Sequence, residues 1–187
     1  MAYRNGNYTA FYVASPFKET NLGANCAHDF CYYRALRMWK GKDSTFPFND
    51  SHDKNYNVRD GSDWEKTLKP RLHERLRNSK NIILFLSSTT KNSQALGEEI
   101  NYGIISCGLP IIVVYPDFHN RSDITYRDSF KKQITDLWDK LPVFRDNMYK
   151  IPTIHIAMNK NDIALALNNT DFMVNTKTKA GQYFYRP

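Results

Sequence analysis

The sequence predicts an α/β protein of the flavodoxin-like class, with a five-stranded parallel sheet covered by helices on both faces. Short apolar runs alternate about five times with longer segments of helical periodicity, which is typical of this class. The runs Asn81–Leu86 and Ile111–Tyr115 are almost continuously apolar, as expected of parallel strands covered on both faces. The 187 residues are enough for one domain, and 41% hydrophobic residues exclude disorder over most of the length.

The N-terminal part predicts a strand, a helix and an edge strand. Thr9–Ala14 is β-branched and aromatic and predicts the first strand. Asn25–Lys40 predicts a helix, and Ser44–Phe48 predicts an edge strand because Pro47 cannot donate a ladder hydrogen bond. The polar residues Asn49–Gly61 predict a long loop.

A capping box opens the next helix. The Ser62 hydroxyl is expected to cap its first turn while Glu65 reaches back. Pro70 should kink this helix or start it afresh. One apolar stripe at spacing four follows: Trp64, Leu68, Leu72 and Leu76.

The C-terminal part is less regular. Tyr126–Leu141 predicts a helix, Ile151–Ile156 a weaker strand, and Asn161–Leu167 a last helix. The tail from Thr170 onward has no clear pattern.

Between the two apolar strands, a helix is expected to begin after Ser93 and to end at Cys107, with Gly108 as its stop. It carries two adjacent glutamates, Glu98 and Glu99.

The two glutamates differ in the direction they face. Advancing about 100° per residue from Leu96 places Glu98 near about 200°, toward water, and Glu99 near about 300°, at the border of the buried face. We therefore interpret Glu98 as a solvated charge and Glu99 as partly buried beside room for a ligand. That border otherwise carries only small residues: Ala95, Gly103 and Ser106. A structural role for Glu99, favouring the helix dipole and pairing with a basic residue, is the alternative.

Ligands of such folds bind at the carboxyl ends of the strands. Hydroxyls and backbone N–H groups there could receive phosphate oxygens, although ordinary turn chemistry explains each residue equally well. The residues expected at this edge, besides the start of the Ser93 helix, are Ser15, Pro16, Phe17, Asp50, Ser87, Ser88 and Thr89.

Composition narrows the class of protein. The net charge of +7 is scattered, without a basic stripe or a nucleic-acid motif, so we expect no nucleic-acid partner. Cys26, Cys31 and Cys107 include no C-x-x-C pair, which fits a reducing compartment. No apolar run is long enough for a signal peptide or a membrane span, so we expect a cytoplasmic protein without a membrane partner.

Phe46–Tyr115 resembles the TIR-like domains of bacterial defence proteins, in particular those of the Thoeris anti-phage ThsB type. The motifs that carry this resemblance are FPFNDS, DGSDWEKTLKPRLHERLRNSKNIILFLSSTT and ALGEEINYGIISCGLPIIVV. The first strand, read as YVASPF, is a close variant of the family's pattern. The resemblance implies a single TIR-like domain over residues 1–187, with a core of about 8–157 and a C-terminal extension of 158–187.

The resemblance also implies an activity. Such enzymes cleave the bond between nicotinamide and ribose in NAD+ with a glutamate that precedes isoleucine, here Glu99. NAD+ is then a substrate, and no cofactor or metal is expected. Ala95 stands where many TIR enzymes carry an aromatic residue, so Phe17 or Tyr102 would supply the nicotinamide contact.

The partners expected from the resemblance follow from that activity. They are NAD+, further copies of the chain, a phage component as the trigger, and an effector protein reached through a diffusible ADP-ribose-derived nucleotide. A nucleoside deoxyribosyltransferase-like enzyme and a non-catalytic interaction module are the alternatives, and Ala95 slightly favours the second.

The run Asp50-Ser51-His52-Asp53 does not predict a metal site, because no second ligand cluster is visible. The resemblance places this loop after the second strand, where it contributes to self-association and gating, together with Arg59 and Asp60. His52 could act as an acid or base, but a loop histidine is more often exposed to solvent.

Overall fold

A computed structural model of the chain describes residues 4–12, 28–52 and 63–187. Its centre is an all-parallel five-stranded sheet in the order β1-β2-β3-β6-β7. These strands are β1 Gly6–Ala10, β2 Ser79–Phe85, β3 Ile111–Tyr115, β6 Pro152–Ala157 and β7 Gly181–Phe184. The sheet and the helices on both faces confirm the predicted flavodoxin-like class.

Strand β1 lies earlier than Thr9–Ala14, and only its Thr9 and Ala10 belong to that predicted range. The polar residue Asn7 extends the strand toward the N-terminus because its amide is satisfied inside the protein. Its side-chain nitrogen donates to the Asn81 side chain at 2.8 Å, and its side-chain oxygen accepts from the Asn49 backbone N–H at 2.7 Å.

The prediction of an edge strand at Ser44–Phe48 is wrong. Phe46 and Phe48 are both buried, but the segment between them turns, and Pro47 offers no N–H for a ladder. The place beside β1 is taken instead by a single parallel bridge between Asn7 and Asp50.

The fifth strand is β7 at the other edge of the sheet, in the tail without a sequence pattern. All four of its residues are half-buried, so they show neither the alternation of a half-exposed strand nor the apolar run of a central one. It pairs with β6 in parallel, from Gly181 opposite Pro152 to Phe184 opposite His155.

The helices between the first strands follow the predictions closely. Helix α1 is His28–Lys42. A π-helical turn at Trp64–Leu68 leads into α2, Lys69–Arg77, so the chain starts a new helix at Pro70 as predicted. Helix α3, Gln94–Asn101, continues as a π-helical turn over Tyr102–Ser106.

The caps of these helices are in part those expected. Ser93 accepts a hydrogen bond from the Leu96 N–H at 3.3 Å, and Gly108 ends the helical segment with a φ of +61°. Ser62 lies outside the described residues. Asp63 caps the π-helical turn by accepting from the Lys66 N–H at 2.7 Å.

Only the second half of Tyr126–Leu141 contains the predicted helix, α5, Lys132–Trp138. The first half forms a hairpin of β4, Thr125–Tyr126, and β5, Ser129–Phe130, in which Arg127 adopts a left-handed φ of 54°. The short helices α4 and α6 and the predicted last helix α7 complete the order, at Arg121–Ile124, Pro142–Arg145 and Lys160–Asn168.

The sheet separates two apolar cores. One face packs against α2, α3, α5 and α6, and its core includes Tyr8, Leu84 and Ile100. The other packs against α1 and α7, and its core includes Leu36 and Ile163. Successive residues of β2 alternate between the two cores, which explains why its sequence is apolar throughout.

Candidate functional site

Glu99 lies in the second turn of α3 and reaches toward β1. Its Oε1 accepts a hydrogen bond of 2.8 Å from the hydroxyl of Tyr8. Tyr8 is only 1% exposed, and Glu99 is partly buried, as predicted for the border of the apolar face. A carboxylate is thus fixed between a helix and the outer strand of the described sheet.

Burial changes the proton affinity of this carboxyl. It raises the pKa of Glu99 to about 8, although the Tyr8 hydroxyl and the positive charge of Arg75 act in the opposite direction. Burial, together with the negative charge of Glu99, also raises the pKa of Tyr8. At neutral pH Glu99 therefore holds a proton in most free molecules.

Glu98 is not the solvated charge that the helical wheel predicts. Its side chain is 24% exposed, and its Oε1 lies 2.7 Å from Nε2 of His73 and 3.8 Å from Nζ of Lys69. The prediction is wrong because α2 packs against this side of α3, so Glu98 faces a neighbouring helix rather than water.

Tyr102 belongs to the same contact between α2 and α3. Its ring stacks on His73 with centroids 3.5 Å apart, and its hydroxyl accepts a hydrogen bond of 2.9 Å from Arg77. Tyr102, one of the two aromatic residues predicted to contact nicotinamide, thus contacts α2 in this structure.

The small residues beside Glu99 do not all leave room for a ligand. Gly103 is buried, and a Cβ built on it would lie 2.3 Å from Cδ1 of Ile82. Gly103 permits close packing of the helical segment on β2. The prediction that Gly103 leaves room for a ligand beside Glu99 is therefore wrong. Ala95 is half-buried and Ser106 is exposed.

The hydroxyl residues after β2 form a turn of their own. Ser87 is fully buried, and its Oγ lies 2.9 Å from Oγ1 of Thr89. The Ser88 N–H donates to the Asp117 carboxylate at 2.7 Å, which joins the ends of β2 and β3. Ser88 and Thr89 are exposed at the expected edge, but no described contact links them to Glu99.

Asp50 belongs to a second group of polar contacts near Tyr8. Its carboxylate accepts hydrogen bonds from the Tyr33 hydroxyl and from the His52 N–H, the latter at 2.9 Å. The His52 ring packs against Tyr8 with centroids 4.7 Å apart, and its side chain is only 21% exposed. The expectation of a solvent-exposed loop histidine is therefore wrong.

Several predicted residues lie outside the described part of the chain: Ser15, Pro16, Phe17, Asp53, Arg59 and Asp60. Of the others, Glu99 contacts Tyr8 directly, and Asp50 contacts His52, whose ring packs against Tyr8. Tyr8 and Arg75 were not among the predicted site residues. The signal for Tyr8 was its alternation with Ala10, which places both on one face of β1.

The described residues contain neither a metal-binding cluster nor a membrane-spanning helix. Within residues 4–12, 28–52 and 63–187, no three histidine, cysteine, aspartate or glutamate side chains are close enough together to hold a metal ion. In those ranges no helix has the length and apolar character to cross a membrane. Among the described residues, Cys107 is a half-buried free thiol.

The all-parallel five-stranded sheet with helices on both faces defines the class of protein as a flavodoxin-like α/β domain, the class to which TIR-like domains belong. The family model described as "Thoeris protein ThsB, TIR-like domain" matches residues 8–121, which is more than half of the chain. The chain therefore belongs to the family of Thoeris ThsB TIR-like domains and is a Thoeris defence protein.

Proposed function

We propose that the protein cleaves the bond between nicotinamide and ribose in NAD+, with Glu99 as the catalytic carboxylate. The ADP-ribose part becomes a signalling nucleotide that activates a separate effector after a phage component triggers the enzyme. The observation that carries the proposal is the contact between Glu99 and the buried Tyr8 in a chain of the TIR-like family. This contact fixes the carboxylate in one direction.

The chemistry suits a single carboxylate. Nicotinamide leaves NAD+ as a neutral molecule and needs no general acid, while the ribose carbon becomes positively charged as the bond breaks. A carboxylate in surroundings of low dielectric stabilises that charge more strongly than it would in water. Glycoside-cleaving enzymes use carboxylates against similar transition states.

The proton on Glu99 is compatible with this role. Its pKa of about 8 belongs to the protein without substrate. The nicotinamide ring of NAD+ is positively charged, and a nearby positive charge favours the ionised form of a carboxyl group. Substrate binding therefore promotes loss of the proton and produces the reactive carboxylate.

The remaining substrate contacts belong to the same proposal. NAD+ is a substrate here, and no resident cofactor or metal takes part. The hydroxyls of the exposed residues Ser88 and Thr89 would donate to phosphate oxygens, and the segment Ser15–Phe17 would line the same edge. Self-association of the chain would bring further loops to the site.

The test compares two adjacent glutamates. Wild type, Glu99→Gln and the matched control Glu98→Gln are expressed in bacteria with and without phage, and NAD+, nicotinamide and ADP-ribose derivatives are measured by mass spectrometry. We expect nicotinamide release and a new nucleotide in wild type and Glu98→Gln, and a loss of at least about a hundredfold in Glu99→Gln.

Other outcomes identify other functions. Equal activity of wild type and Glu99→Gln would exclude Glu99 as the catalytic group. Release of bases from nucleosides with NAD+ untouched would identify a deoxyribosyltransferase-like enzyme. A folded, self-associating chain that leaves NAD+ unchanged under phage challenge would identify an interaction module.

A further inference from the structure

A second polar cluster contacts Tyr8, the residue whose hydroxyl holds Glu99. It consists of His52, Asp50 and Tyr33 and is called the Asp50 cluster below. The hydroxyl of Tyr8 contacts Glu99, while its ring lies 4.7 Å from the His52 ring between centroids. One tyrosine therefore contacts both the imidazole and the proposed catalytic carboxylate.

Asp50 orients His52 at two points. Oδ1 of Asp50 accepts from the His52 backbone N–H at 2.9 Å and lies 3.3 Å from Nδ1 of the same residue. The Tyr33 hydroxyl donates to the other oxygen, Oδ2. The imidazole is therefore held by a carboxylate that is itself fixed from a different element, helix α1.

The charge of Asp50 decides which ring nitrogen carries the proton. Burial alone would raise the pKa of Asp50, but hydrogen bonds from His52 and Tyr33 outweigh it and leave the pKa below its usual value. Asp50 is therefore ionised at neutral pH and can only accept hydrogen bonds. Nδ1 of His52 must then carry the proton, and Nε2 has a free lone pair that can accept one.

The proposed reaction also releases one proton. When the bond between the ribose carbon and the nicotinamide nitrogen breaks, its electron pair stays on nicotinamide. An oxygen of water or of a ligand hydroxyl then bonds to the ribose carbon and must release its proton. The proposed reaction therefore has a place for a base near the carboxylate.

We propose that His52 is a second catalytic residue, the general base that receives this proton on Nε2, and that Asp50 is its positioning residue. The inference rests on the proposed function. A new bond from the acceptor oxygen to carbon replaces the carbon–nitrogen bond, and the acceptor proton ends on His52. No further reactant is needed.

Packing alone does not account for the Asp50 cluster. Another histidine of this chain shows the contrast: His155 is fully buried among aromatic rings, and its Nδ1 contacts a tyrosine hydroxyl rather than a carboxylate. The His52 side chain instead keeps 21% of its surface exposed and is held by a carboxylate. Histidines held by a carboxylate with an accessible second nitrogen are the usual general bases of enzymes.

The experiment separates packing from proton transfer. His52→Phe keeps an aromatic ring against Tyr8 and Tyr33, Asp50→Asn keeps the shape of the positioning residue, and His119→Phe is the control at an exposed histidine. Turnover of NAD+ is followed in the purified full-length chain and in phage-challenged cells. We expect a loss of about a hundredfold in His52→Phe, a smaller loss in Asp50→Asn, and none in His119→Phe.

Chemical rescue supplies a readout that a structural role would not change. Free imidazole should restore at least about tenfold of the lost turnover to His52→Ala, and none to Glu99→Gln. Full turnover in His52→Phe, or a folded His52→Ala that imidazole does not rescue, would overturn the assignment of His52 alone. Absence of nicotinamide release in wild type would instead overturn the proposed function, and this inference with it.

Discussion

The protonation of Glu99 connects its burial with the pH at which the protein should work. Because the pKa of this carboxyl is raised to about 8, the reactive carboxylate is the minor form of the free protein at neutral pH. The pH dependence of kcat/KM reports the ionisation of free enzyme and substrate. We expect kcat/KM for NAD+ to rise by about tenfold per pH unit below pH 8 and to level off above it. Initial rates of nicotinamide release between pH 6 and 9.5 check this, and a flat or falling profile would contradict it.

Tyr8 should affect the pH dependence of kcat/KM. Its hydroxyl donates to Glu99 and stabilises the ionised carboxylate, so Tyr8→Phe removes a group that lowers the pKa of Glu99. We expect the midpoint of the kcat/KM profile to move to higher pH by about one unit, with an activity loss of about tenfold at pH 7 and less at pH 9. A loss that is equal at all pH values would show that Tyr8 acts through packing alone.

The raised pKa of Glu99 also lowers the free energy of unfolding at higher pH, where the carboxyl group must ionise. The folded state has a pKa of about 8 and the unfolded state about 4.5, so the contribution of Glu99 to stability is fully present below pH 4.5 and is lost as pH rises through 8. Glu99→Gln cannot ionise, and we expect it to raise the free energy of unfolding by about 1–3 kcal/mol at pH 8 and by much less at pH 5.

Thermal melts at the two pH values measure that difference. The control is Glu98→Gln, which weakens the contact with His73 and should leave Tm equal or lower at both pH values. A Glu99→Gln protein that is less stable than wild type at pH 8 would show that the carboxylate is stabilising where it stands.

At the scale of the elements, two glycines of α3 and its extension should respond oppositely to alanine. A Cβ on Gly103 would lie 2.3 Å from Cδ1 of Ile82, whereas one on Gly97 meets only the Asn92 side chain at 3.8 Å. We expect Gly103→Ala to destabilise the protein by about 1–3 kcal/mol through overpacking. Gly97→Ala should stabilise it by up to about 1 kcal/mol through helix propensity. Urea unfolding of both variants checks the pair, and equal effects would contradict it.

The elements also show how far the sequence could predict the fold. Strands β2 and β3 and helix α3 lie close to their predicted ranges because their apolar patterns and caps come from local residues. The prediction of an edge strand at Ser44–Phe48 was wrong. Buried phenylalanines at alternate positions, Phe46 and Phe48, are typical of a strand, but the backbone turns here. Strand β7 is half-buried throughout, so no periodicity marks it in the sequence.

The candidate site, like the fold, could be predicted from the sequence only in part. The border position of Glu99 follows from the geometry of one helix and could be predicted. The partners of Glu98 and His52 depend on how α2 and the chain around Asp50 pack against other elements. Periodicity along one element contains no information about residues on other elements. Glu98 and His52 were therefore both expected to face water.

At the scale of the whole molecule, His155 should make the protein sensitive to acid. Its ring is fully buried, its Nδ1 lies 2.7 Å from the Tyr115 hydroxyl, and burial lowers the pKa of His155 to about 3. The folded state therefore resists protonation that the unfolded state accepts below about pH 6.5. The contribution of His155 to stability is present above pH 6.5 and is lost as pH falls through 3.

We expect the free energy of unfolding to fall by about 2–3 kcal/mol more between pH 7 and pH 4.5 in wild type than in His155→Gln. Urea titrations at the two pH values measure this, with His119→Gln as the exposed control, which should behave like wild type. If His155→Gln is too unstable to titrate, the resonances of His155 in wild type provide the same test: protonation of the folded ring above pH 5 would contradict the prediction.

The pairing of β1 with β2 also has a consequence for the newly made chain. Gly6 lies opposite Ser79, so β1 has no neighbouring strand until more than seventy further residues have been synthesised, although Asn7 also forms a bridge with Asp50. Closing a loop of that size costs entropy before any ladder forms, whereas β2 and β3 pair across a single helix. Tyr8 and Glu99 are 91 positions apart, so an incomplete chain on the ribosome carries the tyrosine for a time without its carboxylate. The contact between them forms only after α3 has been synthesised.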